Sequence, residues 1–318
     1  MSFMVVVFLL VLTSIVAATS GSISMTIPQF IQAMFEGNNN DFAAIKDLRF
    51  PRIIIAILAG AALSVAGVLL QSIMRNPLAD AGVIGISTGA AFTKLVIISF
   101  FPTLFFFSPL FAFLGGAIAC FLVFALAWKS GLNPLKLILV GIAINAMFTG
   151  LTEALISLGG SLNASASSAI GSSLSLKTWD EVQIMLIYGG IGLFAAYALA
   201  AACNVLVLSD QTAKSVGFNV MGARIVIAVV AVLLSAVSVV VAGVISFVGL
   251  LVPHIARRLV GHDHRVLIPF TALLGALIIL LADTIGRTIM APMEIPASTI
   301  MAIIGGPFLI FLLRREAR

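Results

Sequence analysis

The feature that most constrains this chain is a succession of apolar runs, each long enough to cross a bilayer and separated by short polar turns. A hydrocarbon core of about 30 Å asks for roughly 20 apolar residues per helical span. The strands of a membrane barrel would instead alternate apolar and polar residues, and no such alternation runs through 53–73 or 225–245. The chain therefore reads as an all-α, polytopic membrane protein. Its charged fraction of 9% is far below the roughly 25% of a soluble domain. The net charge of +5 then reflects basic inner loops rather than a nucleic-acid surface.

Ten spans are expected, at 1–18, 53–73, 81–101, 104–128, 136–158, 181–205, 225–245, 247–259, 266–286 and 297–313, within one transmembrane domain covering 1–318. The eighth is too short to cross as a straight helix unless 244–246 is shared with it. Pro51 is placed in the first turn of the second span, where its missing amide does no harm. Polar loops at 21–52, with an amphipathic piece at 27–35, and at 159–180 lie on one side. The loop at 206–224 lies on the other. With this threading, eleven Lys and Arg fall on the loop 206–224 side and five on the opposite side. The basic side faces the cytosol, which puts both termini there in the cell membrane.

Few residues stand out for chemistry. Lys94 and Glu153 fall at similar depths inside spans, where ionisable groups are costly and face protein or water. They either pair with each other or face a hydrated cavity separately. Asp283 and Arg287 are spaced i to i+4 and either pair or remain solvated. His254, His262 and His264 accompany Arg257, Arg258, Asp263 and Arg265 at the inner membrane edge, a pattern that suits a charged loop better than a metal site. Cys120 and Cys203 stand alone in apolar runs and read as packing residues. No nucleophile with its base, no carboxylate pair and no phosphate loop is present, so neither catalysis nor a cofactor is expected and any ATP hydrolysis must come from another subunit. Gly60, Gly115, Gly116, Gly189, Gly190, Gly305 and Gly306 suit close helix packing.

The loop 206–224 has a defined shape in sequence. Ser209 or Asp210 can cap a short helix, Gly217 can supply a left-handed stop, and 219–224 reads as a second short helix leading into the next span.

Taken together, LRFPR at 48–52, GAALSVAGVLLQSIMRNPLADAGVIGISTGA at 60–90, SDQTAKSVGF at 209–218, AGVISFVGLLVPHIARRLVGHDHRVLIP at 242–269, ADTIGR at 282–287, MEIP at 293–296 and GGPFLIFLLRR at 305–315 resemble the FecCD-type, BtuC-like permease subunits of ABC importers for ferric siderophores, haem and vitamin B12. The resemblance implies a ten-helix subunit that pairs with a second permease, with ATPase subunits beneath and a solute-binding protein above. It implies ATPase coupling through Asp210, Ala213, Lys214, Gly217 and Phe218. Binding-protein docking would fall to Arg49 and Arg287, and an inner gate to Asn76, Leu78, Pro134 and Ile138. Ala297 follows Pro296 where the family commonly has glycine. Ferric siderophores are the expected solutes, haem or cobalamin the alternative. An ion-coupled carrier, the reading from another class, would use acids near mid-membrane, where only Glu153 is placed deep.

Overall fold

The apolar run that follows Arg52 forms the axis of the molecule. In the computed structural model, which describes residues 2–20, 40–128, 134–158, 174–291 and 293–316, it belongs to a single helix α2 (Asn40–Met74), with 83% of its most apolar window buried. Around it lie α1 (Ser2–Thr19), α3 (Ile86–Phe100), α4 (Ser108–Trp128) and α5 (Pro134–Leu158). The chain continues through α6 (Trp179–Ile184), a π turn (Met185–Gly189), α7 (Gly190–Ala198), α8 (Ala200–Leu206) and the short α9 (Asp210–Ser215). It ends with α10 (Val220–Ala242), α11 (Val248–Val260), α12 (His264–Thr288) and α13 (Ala297–Glu316). No strand occurs among the described residues.

Small residues decide how closely these helices approach. Gly60 of α2 faces the Gly275 carbonyl of α12, and Gly67 faces the backbone of Gly249 in α11. A Cβ at either position would overlap that backbone. Gly89 and Gly115 bring α3 and α4 together, and Gly305 receives the ring of Phe247. Gly190 and Gly306 adjoin open space, so the packing role expected of them is not seen within one chain.

Several boundaries differ from the sequence expectation. Pro51 sits inside α2, not in its first turn, because helix extends back to Asn40; the interruption forfeits one backbone hydrogen bond. The third span was expected from residue 81, but its helix starts at Ile86. Gly85 holds φ +84° before it, and the Asp80 carboxylate binds the Gly82 amide at 3.1 Å. The eighth span does not borrow 244–246. Gly243 (φ +79°) and Phe247 (φ +69°) break the helical ladder on both sides of that segment, leaving α11 with 13 residues, or about 20 Å at 1.5 Å per residue. Among the described residues, seven helices are long and apolar enough to cross a membrane, and Ile86–Phe100 and Ala297–Phe311 are shorter apolar helices. The amphipathic piece at 27–35, the loop at 159–173 and the turn at 129–133 lie outside the described residues.

The α2–α11 contact yields a test. Gly67→Val should destabilise the protein by about 1–3 kcal/mol or more, because overpacking here meets backbone rather than a movable side chain. Gly306→Ala should leave stability unchanged. Thermal unfolding of the detergent-purified chain, followed by size-exclusion fluorescence, reads both.

Candidate functional site

The loop end of the molecule is built around one carboxylate. Ser209 caps α9 by accepting from the Thr212 amide at 3.1 Å, so Asp210 occupies the first helical position. There it meets two arginines: Arg75, just beyond the end of α2, at 2.6 Å, and Arg224 of α10 at 2.9 and 3.1 Å. Arg75 also donates to the carbonyls of Leu206, at 2.8 Å, and Leu208. Burial works to raise the Asp210 carboxyl, but Arg224 and Arg75 outweigh it and hold the group below the usual carboxylate range. Ala213 is fully buried, Phe218 half-buried, and Lys214 and Val216 are exposed. Gly217 takes φ +79°, the left-handed stop expected of it. The second short helix expected at 219–224 is instead the first turn of α10, capped by Asn219, which accepts from the Gly222 amide at 2.9 Å. An N-cap joined without interruption to a long apolar run simply starts a long helix.

Next to this clamp is the turn after α2. Asn76 is buried and its Oδ1 accepts from the Leu78 amide at 2.9 Å, while Leu78 is half-buried. Pro134 opens α5 and Ile138 lies in its second turn, but their side chains lie outside the described residues. Sequence reasoning missed the polar interior behind this turn. Buried Asp80 lies against the amide of Gly249 at the start of α11. Gln71 donates to the Gly249 carbonyl at 2.9 Å and accepts from Arg257. Buried His264 bonds Ser72 and Asn204, each at 2.7 Å. Asn204 in turn donates to Asp263 at 2.7 Å. The signal was available: Gln71, Ser72 and Asp80 are polar groups inside or beside a run otherwise buried, where each needs a partner.

The opposite end carries a second charged cluster. Arg52 makes a bidentate pair with Asp283, at 2.8 and 2.9 Å, and reaches Glu294 at 2.9 Å. Asp283 is thus paired with Arg52 rather than with Arg287, correcting the i to i+4 reading; a residue from a neighbouring helix reached it first. Ser175 donates to Glu294 at 2.5 Å. Burial tends to raise the Glu294 carboxyl, but Ser175 and Arg52 keep it below its ordinary value. Arg49 and Arg287 are buried here. They donate to the carbonyls of Ala18, at 2.7 Å, and Ala17, at the end of α1.

Between the two ends, Lys94 and Glu153 part company. Lys94 is buried in α3 and has Lys177 and Glu181 as charged neighbours, and those two pair with each other at 2.9 Å. Glu153 is exposed on α5. The proposed ion pair is not formed, because equal depth along two helices does not set which way each side chain faces.

The clamp gives a testable consequence. Asp210→Asn should lower amide hydrogen-exchange protection across 209–217 severalfold at pH 7 while leaving the large spans intact, since half-exposed ion pairs contribute little to global stability. Because the folded-state carboxyl titrates below the unfolded value of about 3.9, the wild-type clamp should be fully present above that value. It should weaken only as pH falls below about 4.

Comparison with known proteins identifies the family to which the chain belongs. The FecCD transport family matches residues 9–315. A protein named as a haem-iron transport system permease, IsdF of Staphylococcus aureus strain MSSA476, is 37% identical over 316 residues, covering 99% of this chain and 96% of that one. Its counterpart in strain Newman shows the same identity and coverage. An inward-facing structure described as a metal-chelate type ABC transporter superposes with a TM-score of 0.82 at 29% identity, covering 98% of both chains. PsaBC from Streptococcus pneumoniae, solved with a Fab, shares the fold at a TM-score of 0.64 and 17% identity, covering 90% of this chain and 95% of that one. The chain belongs to the FecCD transport family and is a non-catalytic, multi-pass permease subunit of the ABC type.

Proposed function

We propose that this chain forms one half of a two-fold pathway in a binding-protein-dependent importer that carries iron as haem or another iron chelate into the cell. The observation that carries the reading is the clamp on Asp210. It ties the protruding α9 to α10 through Arg224 and, through Arg75, to the end of the buried axial helix. A push on α9 from an ATPase subunit is then transmitted to the axis and to the neighbouring turn at Asn76 and Leu78, the proposed inner gate with Pro134 and Ile138. A change of access requires such state-dependent contacts. Exposed Lys214 and Val216, with Gly217 and Phe218 beside them, form the proposed ATPase contact.

Glu153 supports the paired subunit. An ionisable side chain exposed on a membrane helix cannot face lipid cheaply, so α5 faces a hydrated path or a second permease chain, identical or related. Arg49 and Arg287 are the proposed docking points for acidic groups of a binding protein, which would compete with the carbonyls of Ala17 and Ala18. Haem is favoured over ferric siderophores and cobalamin because the full-length relatives at 37% identity are named for haem iron.

Two experiments test this reading. A Cβ at Gly217 would meet nothing within 4 Å, so Gly217→Val acts only through its positive φ, worth about 1–2 kcal/mol. It should preserve membrane insertion but reduce uptake per ATP hydrolysed severalfold. Gly217→Asn, which tolerates this conformation, should restore much of the coupling; unchanged uptake in the valine variant overturns the elbow's role. In vesicles carrying the complete transporter, haem uptake should require the binding protein and stop on ATP depletion but survive collapse of the proton gradient. Transport of a ferric hydroxamate or cobalamin with haem excluded would reassign the solute, and loss of uptake with the gradient would favour the ion-coupled carrier.

A further inference from the structure

A cavity of about 320 Å³ opens between the turn after α2 and the α11–α12 turn, lined by Ser72, Arg75, Asn76, Arg257, His262 and His264 among others. No acidic side chain is among the described residues that line it. The charge of Arg75 is shared with Asp210, but Arg257 gives one bond to Gln71 and pairs with no carboxylate among the described residues. Asn76 is 7% exposed and its Oδ1 is occupied by the Leu78 amide. That leaves its amide donors without a partner among the described residues, in a wall of the cavity. His262 is exposed at the rim. Donors therefore converge from three separate elements, and a half-buried guanidinium lacks the counter-charge that burial normally demands.

We propose that this cavity binds a phosphate group, supplied either by the headgroup of an anionic phospholipid or by a soluble phosphate. A planar carboxylate is satisfied by one guanidinium from one direction. Donors arriving from Arg75 and Asn76 on one wall, Arg257 on another and His262 at the rim suit a tetrahedral oxyanion. The volume exceeds that of one phosphate and leaves room for an ester substituent or water. The site lies at a helix-bundle end rich in Arg, where basic pockets between membrane helices take lipid headgroups. A bound phosphate would bridge the turn at Asn76 to α11, and through Arg75 it would touch the anchor of α9. The anion would thus fix the proposed gate relative to the coupling helix, whatever solute is carried.

The test uses the purified permease–ATPase complex. In one arm, native mass spectrometry follows retention of phosphatidylglycerol against phosphatidylcholine; in the other, phosphorus NMR follows titration with inorganic phosphate in phosphatidylcholine alone. Wild type should retain phosphatidylglycerol selectively, which assigns a lipid, or bind phosphate, which assigns a soluble anion. In the arm that binds, Arg257→Gln should weaken affinity at least tenfold and Arg257→Lys less, with Arg265→Gln, at an exposed position outside the cavity, matching wild type. Matching elution of all variants on size exclusion, together with the partial rescue by lysine, separates lost binding from lost folding. The proposal is overturned if wild type binds neither anion, if Arg257→Gln binds as wild type does, or if binding occurs only when the ATPase is removed.

Discussion

The rest of the structure depends on how the apolar stretch of α2, from Arg52 to the turn at Arg75, is held at its two ends. Arg52 and Arg75 stand roughly 35 Å apart along it at about 1.5 Å per residue. Each is fixed by carboxylates from elsewhere in the chain, Asp283 and Glu294 at one end and Asp210 at the other. Between them the helix is sealed into the bundle by glycines that let α11 and α12 approach backbone to backbone. Lipid offers no hydrophobic drive between helices, so close packing and polar links must supply the cohesion. A rod anchored in this way is the proposed route by which a push on α9 reaches the far end.

The break between α10 and α11 is the complementary device. Interrupting a helix inside the bundle exposes amides and carbonyls that a bilayer cannot satisfy. Here Asp80 and Gln71 lie against the exposed backbone of Gly249, and Arg257 is tied to Gln71. Gln71 and Arg257 also line the cavity beside Asn76. Rigid axis, broken helix and clamped short helix thus meet at one end of the molecule, where the family resemblance places both gate and ATPase contact.

Much of this was legible in the sequence, unevenly. The Ser209 cap and Gly217 elbow were readable because they depend on local chemistry, and the structure has both. The partners of Asp210 were not, because Arg75 comes from a segment more than a hundred residues away. Lys94 and Glu153 could be matched in depth by counting residues, but whether they pair was left open, since orientation follows from neighbours. Spacing left Asp283 either paired with Arg287 or solvated, and packing paired it with Arg52 instead. Asp80 escaped notice because its distant partner, the Gly249 amide, is free only where α10 fails to continue.

By itself the sequence determined that this chain is a bundle of membrane helices with a polar loop at 206–224, because unbroken apolar runs leave the backbone no other way to satisfy its hydrogen bonds in lipid. Family membership rested on motifs spread in order along nearly the whole chain. Only the tertiary structure decided which charges pair, where the spans break and which polar groups share a cavity. Those outcomes depend on which helices touch, and that is set by the fit of small residues such as Gly67 and Gly249, which are distant in sequence and meaningful only once they meet.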